Sequence, residues 1–199
     1  MTIPERFLAL GDSFTIGTGT TPDRSFPAVL AGIWTKRGRT VVLANPAVNG
    51  YTTDDLIRDE LPLVASFHPT LVTLLVGAND IVRGSDEDRY RRQLGTIHER
   101  IRADAPDTLV VALPQPDWSV SSAGSGFGDP AVLARIIERF NEIAHSEADR
   151  ARASWVDLFP LMREQGRKKM VAADGLHPSA EAYAEWAQAL ATTASASSP

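Results

Sequence analysis

"FLALGDSFTIGTGTT", Phe7 to Thr21, decides how the rest of the chain is read. Four apolar residues, Phe7–Leu10, stop at Gly11-Asp12-Ser13 and give way to glycines and threonines. A short apolar run ended by small polar residues reads as a buried strand leaving its sheet at a turn. Three readings of that turn are open. Ser13 is a nucleophile, or the backbone amides form a cradle for a phosphate at a helix start, or the stretch is a turn and nothing more.

Runs of the same kind recur at Thr40–Ala44, Leu71–Val76, Thr108–Leu113 and Ser154–Leu158. Their near-continuous apolarity suits parallel strands buried on both faces. Helical spacings fall between them. Phe26, Val29, Leu30, Ile33 and Trp34 mark one helix, with Pro27 in its first turn. Tyr90, Leu94, Ile97 and Ile101 mark another, and Val132, Leu133, Ile136, Ile137, Phe140, Ile143 and Ala144 a third. Tyr183, Trp186, Ala187 and Leu190 mark the last, and the segment after Thr53 reads as helix broken near Pro62. Five strands alternating with helices predict an α/β protein, a three-layer α/β/α sandwich around a doubly wound, five-stranded parallel sheet of flavodoxin-like type. The expected organisation is one domain over residues 1–192 and a flexible, small and polar tail over 193–199.

Bulk composition narrows the function. A chain of 199 residues fits one domain, and 43% hydrophobic with 23% charged residues is ordinary for a water-soluble protein. A net charge of −5 gives no general pull toward nucleic acid or an anionic membrane. The basic clusters Arg89, Arg91, Arg92 and Arg167, Lys168, Lys169 read as solvated faces. With no cysteine, disulfides, thiolate metal sites and cysteine catalysis are excluded. No apolar stretch approaches the roughly 20 residues that span a bilayer, and no signal-peptide pattern opens the chain. A cytoplasmic protein without integral membrane association and without a nucleic-acid partner is expected. No H-x-x-x-H, Walker loop or G-x-S-x-G elbow is present, so neither metal nor cofactor is expected, and the larger α/β-hydrolase fold is disfavoured.

In a sheet of this kind every strand-to-helix loop opens on one edge. The first such loop carries Gly11-Asp12-Ser13, and the second carries "NPAVNGYTT" with Asn49-Gly50. The third carries "GAND", Gly77 to Asp80, and "DGLHP", Asp174 to Pro178, follows the fifth strand. A serine hydroxyl is a poor nucleophile until an imidazole takes its proton, and a carboxylate on the other ring nitrogen fixes the tautomer. Asp174 and His177 are close enough in sequence to meet within one local turn, and Pro178 keeps His177 out of helical geometry while it can itself open the next helix. Asp157, at the end of the fifth run, is also available as the acid. An oxyanion needs preorganised donors. Ser13 at a helix start, Gly50 with no side chain in the way and the Asn79 amide are candidates.

Taken together, "GDSFT", "NPAVNGYTT", "GAND" and "DGLHP" resemble the four blocks of the SGNH, or GDSL, hydrolase family, in order and separation from residue 11 to residue 178. Phe14 departs from the leucine of the eponymous motif and stays apolar. The resemblance implies Ser13 as nucleophile, His177 as general base, Asp174 as its orienting acid, and the Ser13 N–H, the Gly50 N–H and Asn79 as the oxyanion hole. It implies no cofactor, and a small-molecule ester as substrate. Family members include esterases, thioesterases, lysophospholipases, arylesterases and carbohydrate deacetylases. Asp157 is then expected to make structural hydrogen bonds.

The expected function is a serine esterase or acylhydrolase for small or soluble esters, with an open site, because the βα units leave no chain for a lid. An acyltransferase on the same triad stays open. So does a flavodoxin-like module binding FMN or phosphate, though that leaves Asn79, Asp174 and His177 without a use. His68 is expected on the far edge of the sheet, and His98 and His145 as packing or solvent-facing helix residues. The connection from Pro114 to Pro130 is long enough to be functional or mobile. Its Trp118 is either an anchor on the core or a wall of the substrate site.

Overall fold

The computed structural model describes residues 4–196, with side chains described for 4–192. The chain runs β1 (Glu5–Gly11), α1 (Ser13–Ile16), α2 (Phe26–Lys36), β2 (Val41–Ala44), α3 (Thr53–Asp59), α4 (Pro62–Phe67), β3 (Leu71–Leu75) and α5 (Ala78–Val82). It continues with α6 (Glu87–Asp104), β4 (Leu109–Ala112), α7 (Pro130–Arg150), β5 (Ser154–Trp155), α8 (Phe159–Arg167) and α9 (Ala180–Ala196). Of the tail expected over 193–199, residues 193–196 continue α9 and 197–199 lie outside the described residues.

All five strands pair in parallel in the order β2-β1-β3-β4-β5. This is the doubly wound, flavodoxin-like order the sequence predicts. The chain leaves β1 toward β2 on one side and returns to β3 on the other, so the crossovers diverge between β1 and β3. Loops leaving the carboxyl ends of those two strands therefore face a crevice, where such sheets take their ligands.

Alternate residues of the central strands feed two apolar layers, as the pleat requires. Phe7, Ala9, Leu71 and Val111 meet α2, α8 and α9 through Leu30, Trp34, Met162, Tyr183 and Trp186. Leu8, Leu10, Val72 and Leu74 meet α3, α4, α6 and α7 through Leu56, Val64, Leu94, Ile97 and Ile143. Helices thus cover both faces. No helix among the described residues is long and apolar enough to cross a membrane.

Two departures from the sequence reading bear on the site. β5 ends at Trp155, and the Val156–Leu158 stretch turns into α8, a helix the periodicity did not announce. The last ladder contact is Val156 N–H to Ala112 O at 3.1 Å, after which Asp157 Oδ1 accepts the Phe159 amide at 3.0 Å and starts the helix. The long connection after β4 is ordered. Asn141 of α7 bonds both the amide and the carbonyl of Gln115, at 2.9 and 3.0 Å. Trp118 is buried in the core among Leu158 and Met162, with Phe127 edge-on at 5.2 Å. It is an anchor of the loop on the core.

Candidate active site

Asp12 shapes the turn that carries Ser13. Its carboxylate accepts the Phe14 amide at 3.0 Å, and its carbonyl accepts those of Thr15 and Ile16, each at 3.0 Å. Ser13 is consequently the first residue of α1, a position whose N–H has no intrahelical acceptor. Its side chain is almost enclosed. Below the turn, Glu60 Oε2 accepts the Gly11 amide at 2.9 Å.

The loops after β2 and β3 are stitched to one another and to this turn. Asn45 Nδ2 donates to Thr15 O at 3.0 Å, joining the β2 exit to α1. Val48 to Tyr51 form a turn closed by Tyr51 N–H on Val48 O, in which Gly50 takes φ 87°, a left-handed angle that glycine adopts without cost. Asn79 Nδ2 donates to Tyr51 O at 2.9 Å, and Arg83 Nη2 to Gly50 O at 2.8 Å. Asp80 accepts both the amide and the hydroxyl of Thr53, at 3.0 and 2.5 Å. The Asn79 amide keeps a second N–H. Gly50 N–H makes no hydrogen bond to another described residue.

The last loop folds into a hook. Ala172 N–H bonds His177 O at 2.8 Å, and Ser179 N–H bonds Met170 O at 3.0 Å, with an antiparallel bridge between Val171 and Pro178. This bridge holds Pro178 extended, so α9 opens at Ala180 and not at Pro178, and Ser179 Oγ receives the Ala182 amide. Asp174 closes the hook from inside. Its Oδ1 accepts the amides of Leu176 and His177 at 2.9 and 3.0 Å, and its Oδ2 lies 2.7 Å from His177 Nδ1. Partial burial opposes the Asp174 charge, but those two amides and the imidazole together hold its carboxyl below the ordinary carboxylate value.

The hook sits against the Ser13 turn. The Phe14 and His177 rings are 5.4 Å apart, and a Cβ placed on Gly19 would lie 3.4 Å from His177 Cβ. Among the described residues no hydrogen bond joins the Ser13 hydroxyl to His177, a contact that is often long until substrate arrives. The connection after β4 braces the hook from behind through Ser122 Oγ and the Ala123 amide, both on Gly175 O, at 3.1 and 3.0 Å.

The remaining candidates lie elsewhere. Asp157 is occupied in starting α8. His68 ends α4 just before β3, on the amino edge of the sheet. His98 is buried in α6, where burial pushes its imidazole down to about 4, and His145 stacks on Trp155 at 4.8 Å. No three His, Asp or Glu side chains among the described residues are grouped to hold a metal ion. Sequence reasoning passed over Glu60 and Arg83. Both lie in charged stretches that read as solvent-facing, and only the folded chain places them against Gly11 and Gly50.

Known proteins resemble this chain over most of its length. Residues 9–185 match the model of the GDSL-like Lipase/Acylhydrolase family. The chain is 24% identical over 175 residues to Esterase TesA of Pseudomonas aeruginosa, covering 88% of this chain and 80% of that protein. It is 25% identical over 180 residues to an arylesterase of Vibrio mimicus, covering 89% and 82%. A crystal structure of TesA superposes with a TM-score of 0.76 at 25% identity, covering 94% of this chain and 96% of that one. With the family match spanning most of its length, the chain belongs to the GDSL-like Lipase/Acylhydrolase family and is an ester hydrolase.

Proposed function

We propose that this protein cleaves carboxylic esters of small or soluble alcohols through an acyl-Ser13 intermediate. Short-chain acyl esters, O-acetylated sugars, lysophospholipids and thioesters all fall within the reach of this chemistry. The observation that carries the reading is the 2.7 Å contact between His177 Nδ1 and Asp174 Oδ2, in a hook packed on the Ser13 turn.

With its Nδ1 hydrogen committed to Asp174, His177 presents Nε2 as the base. Nε2 takes the Ser13 proton as Oγ attacks the ester carbonyl, and Asp174 stabilises the imidazolium that forms. Negative charge collects on the former carbonyl oxygen. The unpaired Ser13 and Gly50 amides and the second Asn79 N–H are the donors for it. Collapse expels the alcohol, which takes its proton from His177. Water then repeats the sequence on the acyl-enzyme and frees the acid.

Reaction with a fluorophosphonate probe, followed by peptide mass spectrometry, tests the reading. Labelling is expected on Ser13 and is expected to vanish in His177→Ala. A folded protein that takes no label, or takes it on another serine, overturns the proposal.

A further inference from the structure

The turn that carries Ser13 stands on two buried acids with no cation. Glu60, at the break between α3 and α4, is 1% exposed and uses Oε2 on the Gly11 amide at 2.9 Å. Its Oε1 is buried and meets no hydrogen-bond partner among the described residues. Asp12 is fully buried and uses Oδ1 on the Phe14 amide at 3.0 Å, while its Oδ2 is likewise buried and unpartnered. No salt bridge reaches either acid among the described residues.

Their surroundings add acids and phenols and, at Asp12, the Gly77 amide. Asp59 bears on Glu60 from the same turn, and Asp80 bears on Asp12 from α5. Tyr90 of α6 and Tyr183 of α9 both sense the Asp12 charge, and Glu60 senses it as well. Two enclosed carboxylates in such a place cannot both stay ionised. Each also leaves an orphan oxygen, and a buried orphan acceptor is costly. A proton held by Glu60 removes one of the two charges and turns its orphan acceptor into a hydroxyl.

We propose that Glu60 is a positioning residue for the Ser13 turn, held in its protonated form beneath Gly11 while Oε2 keeps the Gly11 amide. The inference rests on Ser13 being the nucleophile. Burial pushes Asp12 up to about 7 and Glu60 up to about 8, so the pair titrates around and above neutrality, with Glu60 the weaker acid. Asp12 is left as the carboxylate, the better acceptor for capping α1. A four-residue helix has little stability of its own. Pinning the Gly11 amide on Glu60, one residue before the Asp12 cap, fixes the direction of the Ser13 amide that follows. Above about pH 8 the Glu60 proton is lost, two uncompensated charges stand in the interior, and the turn loosens.

Infrared spectroscopy across pH, together with kinetics on p-nitrophenyl acetate, tests this. Wild-type protein at pH 7 is expected to show the carbonyl stretch of a buried carboxylic acid, which disappears above pH 8 and is weakened in Glu60→Gln. Glu60→Ala is expected to lose about tenfold to a hundredfold in kcat, the scale on which a small misplacement acts, with KM nearly unchanged. Glu60→Gln, which can still accept from Gly11 and carries no charge, is expected to recover most of that loss. It is also expected to keep its rate above pH 8, where the wild type declines. A wild-type spectrum without the acid band, or a Glu60→Gln profile that follows Glu60→Ala, overturns the proposal. The spectrum needs no catalysis, so it reports on the buried acid even if Ser13 takes no probe; labelled Ser13 without the band refutes the protonated Glu60 and leaves the esterase reading standing.

Discussion

Asp12 and Asp174 do the same local work in opposite surroundings. Each accepts amide hydrogens from residues just downstream, Asp12 from Phe14 and Asp174 from Leu176 and His177. The Asp174 side chain is 40% exposed and its second oxygen meets His177. Asp12 is enclosed, and its second oxygen meets nothing among the described residues. One carboxyl is accordingly held below its ordinary value, and the other is pushed up to about 7. Asp117 is a third arrangement. It is as enclosed as Asp12, but Arg163 Nε lies 2.7 Å from its Oδ2 and the Ser119 hydroxyl bonds its Oδ1. Between Asp12 and Asp174, depth of burial is set against the groups that reach the carboxylate. At Asp174 the amides and the imidazole outweigh burial, and at Asp12 burial wins.

The largest break in the comparison comes at Asp174. Asp174→Asn keeps the shape of the hook and removes the charge that favours a proton on His177 Nδ1. A fall of about 10⁴ in kcat on p-nitrophenyl acetate is expected, with KM little changed. Asp157→Asn is expected to leave kcat within about twofold, since that side chain only starts α8 and such surface caps act on stability. Equal losses in the two variants would remove Asp174 from its special place.

Next in size is the cation that distinguishes Asp117 from Asp12. Arg163→Ala leaves Asp117 enclosed with only the Ser119 hydroxyl, and breaking a buried pair from one side costs about 3 kcal/mol at the lower end of its range. Urea unfolding at pH 7 measures it. A change below about 1 kcal/mol would mean that Asp117 is wetter than its burial implies.

Smaller still, and opposite in sign, is the effect of neutralising Asp12. In the unfolded chain this aspartate titrates near 3.8, whereas in the fold it holds its proton up to about 7. The native state binds the extra proton between those values, so stability falls as pH rises through that window and then levels off. Asp174, with its carboxyl lowered, contributes stability that is present above its ordinary value and is lost as pH falls. Asp12→Asn is therefore expected to be more stable than the wild type at pH 8, by about 1–2 kcal/mol, and no more stable at pH 4. Urea midpoints at the two pH values read the difference. A gain that is the same at both would mean that the effect is packing and not charge.

How much of this the sequence displays follows from the range of each contact. The Asp174–His177 contact is legible because it spans three residues and needs only a local turn. Convergence of the Ser13, Gly50 and Asn79 loops is legible because alternating strands and helices force those loops to one edge. Glu60 is illegible, since "IRDELP" shows charge at a helix end and nothing that says it turns inward beneath Gly11. Helix α8 is hidden for another reason. Val156 and Leu158 extend the apolar run of β5, and nine residues opened by Phe159-Pro160 are too few to show a period. Trp118 stays undecided in the sequence because an aromatic in a long loop suits a core and a substrate wall equally; burial between the loop and α8 decides it.

The hook differs from the Ser13 turn in one further respect, which the smallest prediction addresses. Glu60 supports the Ser13 turn from within the core, whereas the hook is supported from behind by the exposed Ser122, whose hydroxyl bonds Gly175 O at 3.1 Å. The Ala123 amide bonds that same carbonyl at 3.0 Å, so the carbonyl keeps a partner when the hydroxyl is removed. Ser122→Ala therefore deletes one solvent-facing bond and orphans nothing, and about 0.5–1 kcal/mol of unfolding free energy is expected to go with it. Because Asp174 Oδ1 still holds the Leu176 and His177 amides, the hook keeps its own geometry, and kcat is expected to change by less than about twofold. A loss of tenfold or more in kcat with little loss of stability would show the opposite. The geometry of His177 would then depend on the connection after β4, and that loop would belong to the catalytic apparatus as a support and not to the core alone.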